Sequence, residues 1–159
     1  MNSHTPEHNQ ARADSEFIWP VRVYYEDTDS GGVVYYANYL RFMERARTEM
    51  LRSIGFEQDT LQQEQGLIFA VHSASIQYRK PARFNDELEV KTRITTTGKA
   101  SIDFYQAVYL KHSSHAIAAG TLLADATIRI ACLDAKTFSL RVIPSNIKQH
   151  IQGAFGDGS

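Results

Sequence analysis

Two carboxylates and two glycines stand directly before an aromatic pair in the segment EDTDSGGVVYY, residues 26–36. Asp29 could act as a nucleophile or as a general base on water, since a carboxylate can serve in either role. Gly31 and Gly32 would allow the backbone to approach a ligand closely. From spacing alone, however, an Asx-type turn at Asp29 is the better explanation of the same residues. The pattern indicates a candidate site and leaves its chemistry open.

The residues that follow predict a long helix that begins close to Asp29. Apolar side chains recur every three or four residues from Tyr39 to Ile54, and Gly55 follows as a stop signal. We expect this helix over residues 37–54. Its first turn would present N–H groups without intrahelical acceptors, together with a partial positive charge. A carboxylate beside such preset donors would be enough for acyl-transfer chemistry.

Most of the remaining chain alternates between apolar and polar residues, which predicts strands. We expect strands over residues 17–26, 67–79, 86–97, 101–111 and 121–134, with Pro20 favouring an edge position for the first, and a short helix over 58–66. This order predicts an α+β fold, in which an antiparallel sheet packs against one central helix. We expect a single domain over 17–150, a disordered tail over 1–16 and a loose C-terminal tail over 151–159.

Composition and charge exclude several classes of function. Seventeen basic and eighteen acidic residues give a net charge of -1, which disfavours binding to nucleic acid by bulk charge. The single Cys132 excludes an intramolecular disulfide and favours a cytoplasmic location. No apolar stretch is long enough to span a bilayer as a helix. Asp27 and Asp29 lack the further acidic or histidine ligands that a metal site needs, so we expect no metal.

Two segments resemble a known family of enzymes. Residues 22–39, RVYYEDTDSGGVVYYANY, resemble the signature of the 4-hydroxybenzoyl-CoA thioesterase family of hotdog-fold proteins. The continuation LRFMERARTEML, residues 40–51, is more similar to the YbgC branch of acyl-CoA thioesterases, which is linked to the Tol–Pal envelope system. QYRKPARFNDELEV, residues 77–90, resembles a second stretch of that branch. The likeness covers roughly residues 17–148.

This resemblance implies a fold and an activity. The implied fold is a hotdog, in which an antiparallel sheet of about five strands wraps around one long central helix. The implied activity is hydrolysis of an acyl-CoA thioester to a carboxylic acid and CoA, without a cofactor. Asp29 matches the catalytic carboxylate, acting as a nucleophile through a mixed anhydride or as a general base. The backbone N–H of Tyr36 matches the donor that polarises the thioester carbonyl.

The resemblance also implies substrate contacts. Proteins of this branch usually have a histidine at the position of Tyr36, so no imidazole role is expected here. The backbone N–H donor does not depend on the side chain and is still expected. Gly32, Val33 and Val34 are expected beside the acyl thioester. The residues expected near the CoA nucleotide and phosphates are Lys99, Ser101, Arg79, Lys80 and Arg83. The alternative is that they only form a solvated basic face.

Several alternatives stand beside this assignment. Glu44 and Glu49 are alternative carboxylates, since some hotdog thioesterases use a helical glutamate, although pairing with neighbouring arginines suits them better. His72 stands where the branch tends to have arginine, and we expect it to be a satisfied core residue. A hotdog dehydratase would pair a histidine with an acid, and no histidine lies near Asp29 in the sequence. The rival from another class is a non-catalytic module that binds acyl-CoA or acyl carrier protein.

The resemblance finally implies partners and a location. Hotdog sites are usually built across a subunit interface, so we expect a homo-oligomer that is at least a dimer. Because proteins of this branch tend to form dimers of dimers, we expect a homotetramer. Acyl-CoA is the expected substrate, and acyl carrier protein is a further candidate partner. The expected location is the cytoplasm, with a peripheral position on the inner membrane as a further candidate. The length and type of the acyl chain stay open.

Overall fold

The computed structural model describes residues 16–156. Five strands and three α-helices follow one another along them, and the chain between β1 and α1 includes a 3-10 turn at Tyr25–Asp27. In order they are β1 (Phe17–Arg22), α1 (Ala37–Ser53), α2 (Gln58–Gln65), β2 (Leu67–Tyr78), β3 (Glu87–Thr97), β4 (Ser101–His112), β5 (Leu122–Asp134) and α3 (Ser145–Phe155). The predicted α+β class is confirmed, and each predicted helix and strand agrees to within a few residues. The predicted tail over 1–16 falls almost wholly outside the described range.

All five strands form one antiparallel sheet in the order β1-β3-β4-β5-β2. β1 lies at one edge, which suits Pro20 because proline has no N–H to donate to a ladder. In β3, the side chains of Leu88 and Val90 are buried whereas Arg93 is exposed. The alternation predicted from the sequence therefore separates a core face from a solvated face.

Helix α1 packs against the sheet through its apolar stripe, with its closest packing on β1 and β3. Phe42, Met43 and Met50 on this stripe are almost completely buried. Burial of a side chain of this size contributes about 1.5–3 kcal/mol, so the stripe anchors the helix firmly. Because α1 is fixed on the sheet, the loop that precedes it is fixed at one end as well.

Strand β2 forms the other edge of the sheet, and its middle residues, 71–75, are exposed. His72 is one of them, so the prediction that His72 is a core residue is wrong. The physical reason is that both faces of this edge strand are open here, since successive side chains point to opposite faces and all of residues 71–75 are exposed. The pairing of β2 with β5 also shifts register between Val71 and Ser73.

The C-terminal helix α3 corrects the predicted boundary of the loose tail. The prediction of a loose tail from 151 is wrong for residues 151–155, because α3 continues to Phe155 and buries Ile151. Ile147 and Ile151 are four residues apart and lie on the same face of the helix, which packs into the core. Gly156, with φ of 77°, follows the last turn.

Candidate active site

The loop between β1 and α1 folds back on itself around Asp29. The N–H of Asp29 donates to the carbonyl of Val33 at 2.9 Å, and the N–H of Gly32 donates to the carbonyl of Asp29 at 3.0 Å. Gly32 has φ of 80°, in the left-handed region that strains residues with a side chain. The glycine is therefore needed for this turn, which sets the position of the Asp29 backbone.

The side chain of Asp29 is exposed and forms an Asx-type turn. Its Oδ1 accepts a hydrogen bond from the N–H of Gly31 at 2.8 Å. Within residues 16–156 its second oxygen, Oδ2, accepts no hydrogen bond. The turn expected from spacing alone is thus present, and because it uses one oxygen it leaves the other available for chemistry.

Tyr36 caps the N-terminus of α1 with φ of -62° and ψ of -24°, and no side chain caps this end. The neighbouring N–H groups are engaged, because Tyr35 donates to the carbonyl of Asp27 at 3.0 Å and Asn38 donates to the carbonyl of Tyr35 at 2.8 Å. The N–H of Tyr36 has no acceptor in the described part of the chain. It is a free donor at the positive end of a long helix.

Asp29 and Tyr36 line the same pocket, which has a volume of about 280 Å³. This volume is at the small end for binding sites, so a large ligand such as an acyl-CoA would extend beyond it. The structure brings six of the predicted site residues together here, and it adds three that the sequence did not indicate. The lining residues are Asp29, Val33, Val34, Tyr36, Tyr39, Tyr78, Arg79, Lys80 and Pro81.

The far wall of the pocket is tied to the Asp29 loop by backbone hydrogen bonds. Val33 forms an antiparallel bridge with Arg83, and the N–H of Val34 donates to the carbonyl of Ala82 at 2.8 Å. The N–H of Ala82 in turn donates to the Tyr39 hydroxyl of α1 at 3.0 Å. Segments far apart in the sequence are therefore held as one wall.

Removal of the Tyr39 hydroxyl is expected to destabilise this wall. In a Tyr39→Phe variant the N–H of Ala82, which is completely buried, loses its acceptor. An unsatisfied buried donor costs about 1–3 kcal/mol, so the free energy of unfolding in a urea titration should fall by that amount. Tyr78→Phe is the matched control, because its exposed hydroxyl donates to the Tyr36 carbonyl at a longer 3.2 Å. Equal stability of the two variants would contradict this account.

Four tyrosines form a continuous aromatic cluster at the pocket. The ring centroids of Tyr35 and Tyr36 are 5.1 Å apart, those of Tyr36 and Tyr78 5.5 Å, and those of Tyr78 and Tyr39 5.7 Å. Burial raises the pKa of Tyr39 and of Tyr78, so both phenols are neutral near pH 7. Tyr36 thus contributes a ring that packs against Tyr35 and Tyr78. Sequence reasoning missed Tyr78, which lies 42 residues beyond Tyr36.

The basic residues divide into two groups. Arg79 and Lys80 line the pocket, although Arg79 already pairs with Asp125 at 2.9 Å, and this pair raises the pKa of Arg79. Lys99 and Ser101 lie at the turn between β3 and β4. That turn is separated from Arg83 by the 11 residues of β3, a distance of ~36 Å along the strand. A single chain therefore does not bring Lys99 and Ser101 to the pocket, and Gly32 and Arg83 do not line it either.

The helical glutamates lie away from Asp29. Glu49 pairs with Arg52, which also pairs with Glu57, as the alternative of a structural role predicts. Glu44 is exposed and lines a different cavity. Within residues 16–156, no group of three His, Cys, Asp or Glu side chains could hold a metal ion. Asp29 is the one carboxylate among the residues that line the pocket.

Comparison with known proteins places the chain in a family. Residues 31–115 match the family model described as the thioesterase superfamily, which is more than half of the chain. The chain belongs to the thioesterase superfamily. The chain is 44% identical over 131 residues to the acyl-CoA thioester hydrolase YbgC of Escherichia coli, and the match covers 82% of this chain and 92% of that protein. The predicted relationship to the YbgC branch is therefore confirmed. The chain is also 42% identical to the acyl-CoA thioesterase YbgC of Haemophilus influenzae, covering 85% and 93%.

Solved structures of thioesterases share the fold. The 4-hydroxybenzoyl CoA thioesterase of a Pseudomonas species has a TM-score of 0.75 at 19% identity, over 85% of this chain and 98% of that one. A 1,4-dihydroxy-2-naphthoyl-CoA thioesterase from Synechocystis has a TM-score of 0.76 at 24% identity, over 86% and 95%. The predicted hotdog fold is confirmed. As for membranes, none of the helices in residues 16–156 has the length and apolar character to cross one.

Proposed function

We propose that this thioesterase-superfamily protein hydrolyses acyl-CoA thioesters, with Asp29 as the reacting carboxylate and the N–H of Tyr36 as the oxyanion donor. The observation that carries the proposal is the shared pocket, in which a carboxylate with one free oxygen lies with an unused helix N-terminal donor. The relatives named YbgC, described as acyl-CoA thioester hydrolases, support the same activity.

The two groups divide the chemistry between them. The thioester carbonyl oxygen accepts a hydrogen bond from the N–H of Tyr36. This bond stabilises the negative charge that develops on the oxygen and lowers the activation free energy by ~3 kcal/mol. In one route Asp29 attacks the carbonyl carbon and displaces CoA thiolate, which leaves the acyl group on Asp29 as a mixed anhydride that water then hydrolyses. In the other route Asp29 removes a proton from a water that attacks the carbonyl carbon and displaces CoA thiolate. In both routes the products are a carboxylic acid and CoA.

The rest of the pocket would position the substrate. Val33 and Val34 provide apolar contacts beside the reacting carbonyl, and Gly32, with φ of 80°, shapes the turn that precedes them. Lys80 lines the pocket and is exposed, so it is the better placed of the two lining cations to meet CoA phosphates, since Arg79 already pairs with Asp125. Lys99 and Ser101 would contribute only from a second copy of the chain.

We also propose that the protein is a homo-oligomer, assembled at least as a dimer through the free edge of β2. This strand has 12 residues, and Val71 in its exposed middle segment is 53% exposed. A long unpaired edge strand is a ready template for pairing with another chain. Sedimentation velocity should give a dimer or a tetramer, whereas a monomer at micromolar concentration would contradict the proposal. The family resemblance alone supports acyl carrier protein as a partner and a peripheral inner-membrane location, whereas the single Cys132 also favours the cytoplasm.

The activity is tested by release of free thiol from a panel of acyl-CoAs that includes short and long aliphatic chains and aromatic acyl groups. Steady-state turnover of at least one thioester is the expected result. Tight binding of acyl-CoA without thiol release would instead support a non-catalytic binding module. The protein adds little background to a thiol reagent, because Cys132 is buried and burial raises the pKa of its thiol.

A further inference from the structure

The side chain of Asn38 connects the Asp29 loop to the start of helix α1. Asn38 lies in the first turn of the helix and is 7% exposed. Its Nδ2 donates a hydrogen bond to the backbone carbonyl of Asp27 at 2.9 Å. The amide does not cap the helix, since no side chain makes a capping bond at this end. Asn38 therefore makes a buried contact to which the proposed chemistry has assigned no role.

The Asp29 loop contains a short antiparallel hairpin with a first arm, residues 27–29, and a second arm, residues 33–35. Backbone hydrogen bonds of 3.0 and 2.9 Å join the two arms at their ends, and an antiparallel bridge lies between these bonds. The first arm ends at Asp29, whereas the second arm runs directly into Tyr36 at the start of α1. The carboxylate is thus carried by one arm, and the N–H of Tyr36 follows the other.

The two arms are attached to helix α1 in different ways. The second arm is covalently continuous with the helix. For the first arm, the bond from Asn38 is the one hydrogen bond to α1 within residues 16–156. Its other hydrogen bonds lead to the second arm or to residues 24–32 of the same loop. The orientation of the first arm relative to the helix therefore depends on Asn38.

Loss of this bond would affect geometry more than stability. The carbonyl of Asp27 also accepts the N–H of Tyr35 at 3.0 Å, so it stays hydrogen-bonded without Asn38. Because no buried acceptor is left without a donor, the free energy of unfolding should change little. A misplacement of a reacting group by about 1 Å, in contrast, can cost a factor of about 10² in rate.

We propose that Asn38 is a positioning residue, which holds the Asp29 carboxylate in the correct place relative to the N–H of Tyr36. The inference rests on the proposed function and adds a residue to it. In both routes Asp29 must act at the carbonyl carbon while the carbonyl oxygen accepts the N–H of Tyr36. These two contacts form together only when the first arm keeps a fixed orientation to the helix. Asn38 does not line the pocket, so it acts through this arm and not by contact with the substrate.

Replacement of Asn38 by leucine tests this role, because leucine is close to asparagine in shape and donates no side-chain hydrogen bond. We expect kcat for thioester hydrolysis to fall by about 10–10²-fold, since the reacting groups are no longer held together. KM should stay within about threefold, because the residues that line the pocket are unchanged. Steady-state thiol release gives both constants, and circular dichroism with a urea titration verifies the fold.

The same replacement in an Asp29→Asn background separates positioning from a general structural defect. There it should lower kcat by a further factor of at most about three, because the carboxylate that Asn38 positions is already absent. A defect in folding would instead lower the rate by the same factor in both backgrounds. Equal losses in the two backgrounds would therefore overturn the inference, as would a rise in KM with unchanged kcat.

Thr28→Val is the matched control, because Thr28 belongs to the first arm and its hydroxyl donates to the Tyr25 carbonyl at 2.8 Å, within the loop. This variant should keep kcat within about threefold of the unmodified value. If Asn38→Leu fails to fold, Asn38→Ala replaces it, since alanine also lacks the amide and favours a helix. Failure of both variants to fold would overturn the inference in favour of a purely structural role.

The outcomes also distinguish this inference from the proposed function. Near-normal kcat of a folded Asn38→Leu variant, together with an inactive Asp29→Asn variant, would refute the positioning role and leave the proposed activity intact. Absence of thiol release by the unmodified protein would refute both.

Discussion

Replacement of Asp29 by asparagine is expected to lower kcat for thioester hydrolysis by about 10²–10⁴-fold. Asparagine has nearly the same shape but can neither attack the thioester nor accept a proton from water. Its side-chain oxygen can still accept the N–H of Gly31, a contact that aspartate makes at 2.8 Å, so the turn should persist. Steady-state thiol release gives kcat and KM, and circular dichroism with a thermal melt verifies that the fold is unchanged.

Asp27→Asn is the matched control, because this acid lies in the same loop and has a structural role. Its Oδ2 accepts the N–H of Tyr24 at 2.8 Å, and an asparagine oxygen can accept that bond as well. Asp27 does not line the pocket. The control should keep kcat within about threefold of the unmodified value, in line with the small effects of substitutions away from a site. Near-normal turnover by Asp29→Asn would refute the assignment of the carboxylate.

Replacement of Tyr36 by proline is expected to lower kcat by about 10²–10³-fold, since it removes the proposed oxyanion donor. Proline fits this position, because the φ of Tyr36 is -62° and proline is tolerated at the start of a helix. The N–H that proline lacks has no acceptor within residues 16–156, so the helix loses no hydrogen bond. The measurement is steady-state thiol release with a substrate that the unmodified protein turns over.

Tyr36→Ala separates the backbone donor from the aromatic ring. Alanine keeps the N–H and removes the contacts of the ring with Tyr35 and Tyr78, which have centroid distances of 5.1 and 5.5 Å. We expect Tyr36→Ala to retain most of kcat and to raise KM modestly, so the difference from Tyr36→Pro reports the donor alone. If the two variants lose kcat equally, the ring rather than the N–H is the important group.

Local patterns in the sequence predicted most of the elements and the Asx turn before α1 well. The 3.6-residue period and Gly55 placed α1 to within a residue of its end, because a helix that buries one face must repeat at that period. Asp29 and Tyr36 are close in the chain, so the turn and helix start that bring them together could be anticipated. The catalytic role proposed for Asp29, by contrast, came from resemblance, since an Asx turn is compatible with either a structural or a catalytic carboxylate.

Contacts between distant segments could not be predicted in the same way. Tyr78 and Pro81 reach the pocket because the chain after β2 is bridged to the Asp29 loop, and nothing local in the sequence reports that pairing. The glycines of the last residues suggested a loose end, although Ile147 and Ile151 carry the four-residue spacing of a packed helix. His72 was misassigned because alternation along a strand does not show whether anything covers its face.

For the catalytic role that we propose for Asp29, the Asx turn has a consequence for the entropy of each cycle. A free carboxylate side chain samples several rotamers, and selection of one of them opposes the reaction every time a substrate is bound. Here the hydrogen bond from Gly31 to Oδ1 already restricts the side chain, while Gly32 fixes the backbone beneath it. The ordering of the carboxylate is therefore completed once, when the chain folds, and each arriving thioester meets a group that is already oriented.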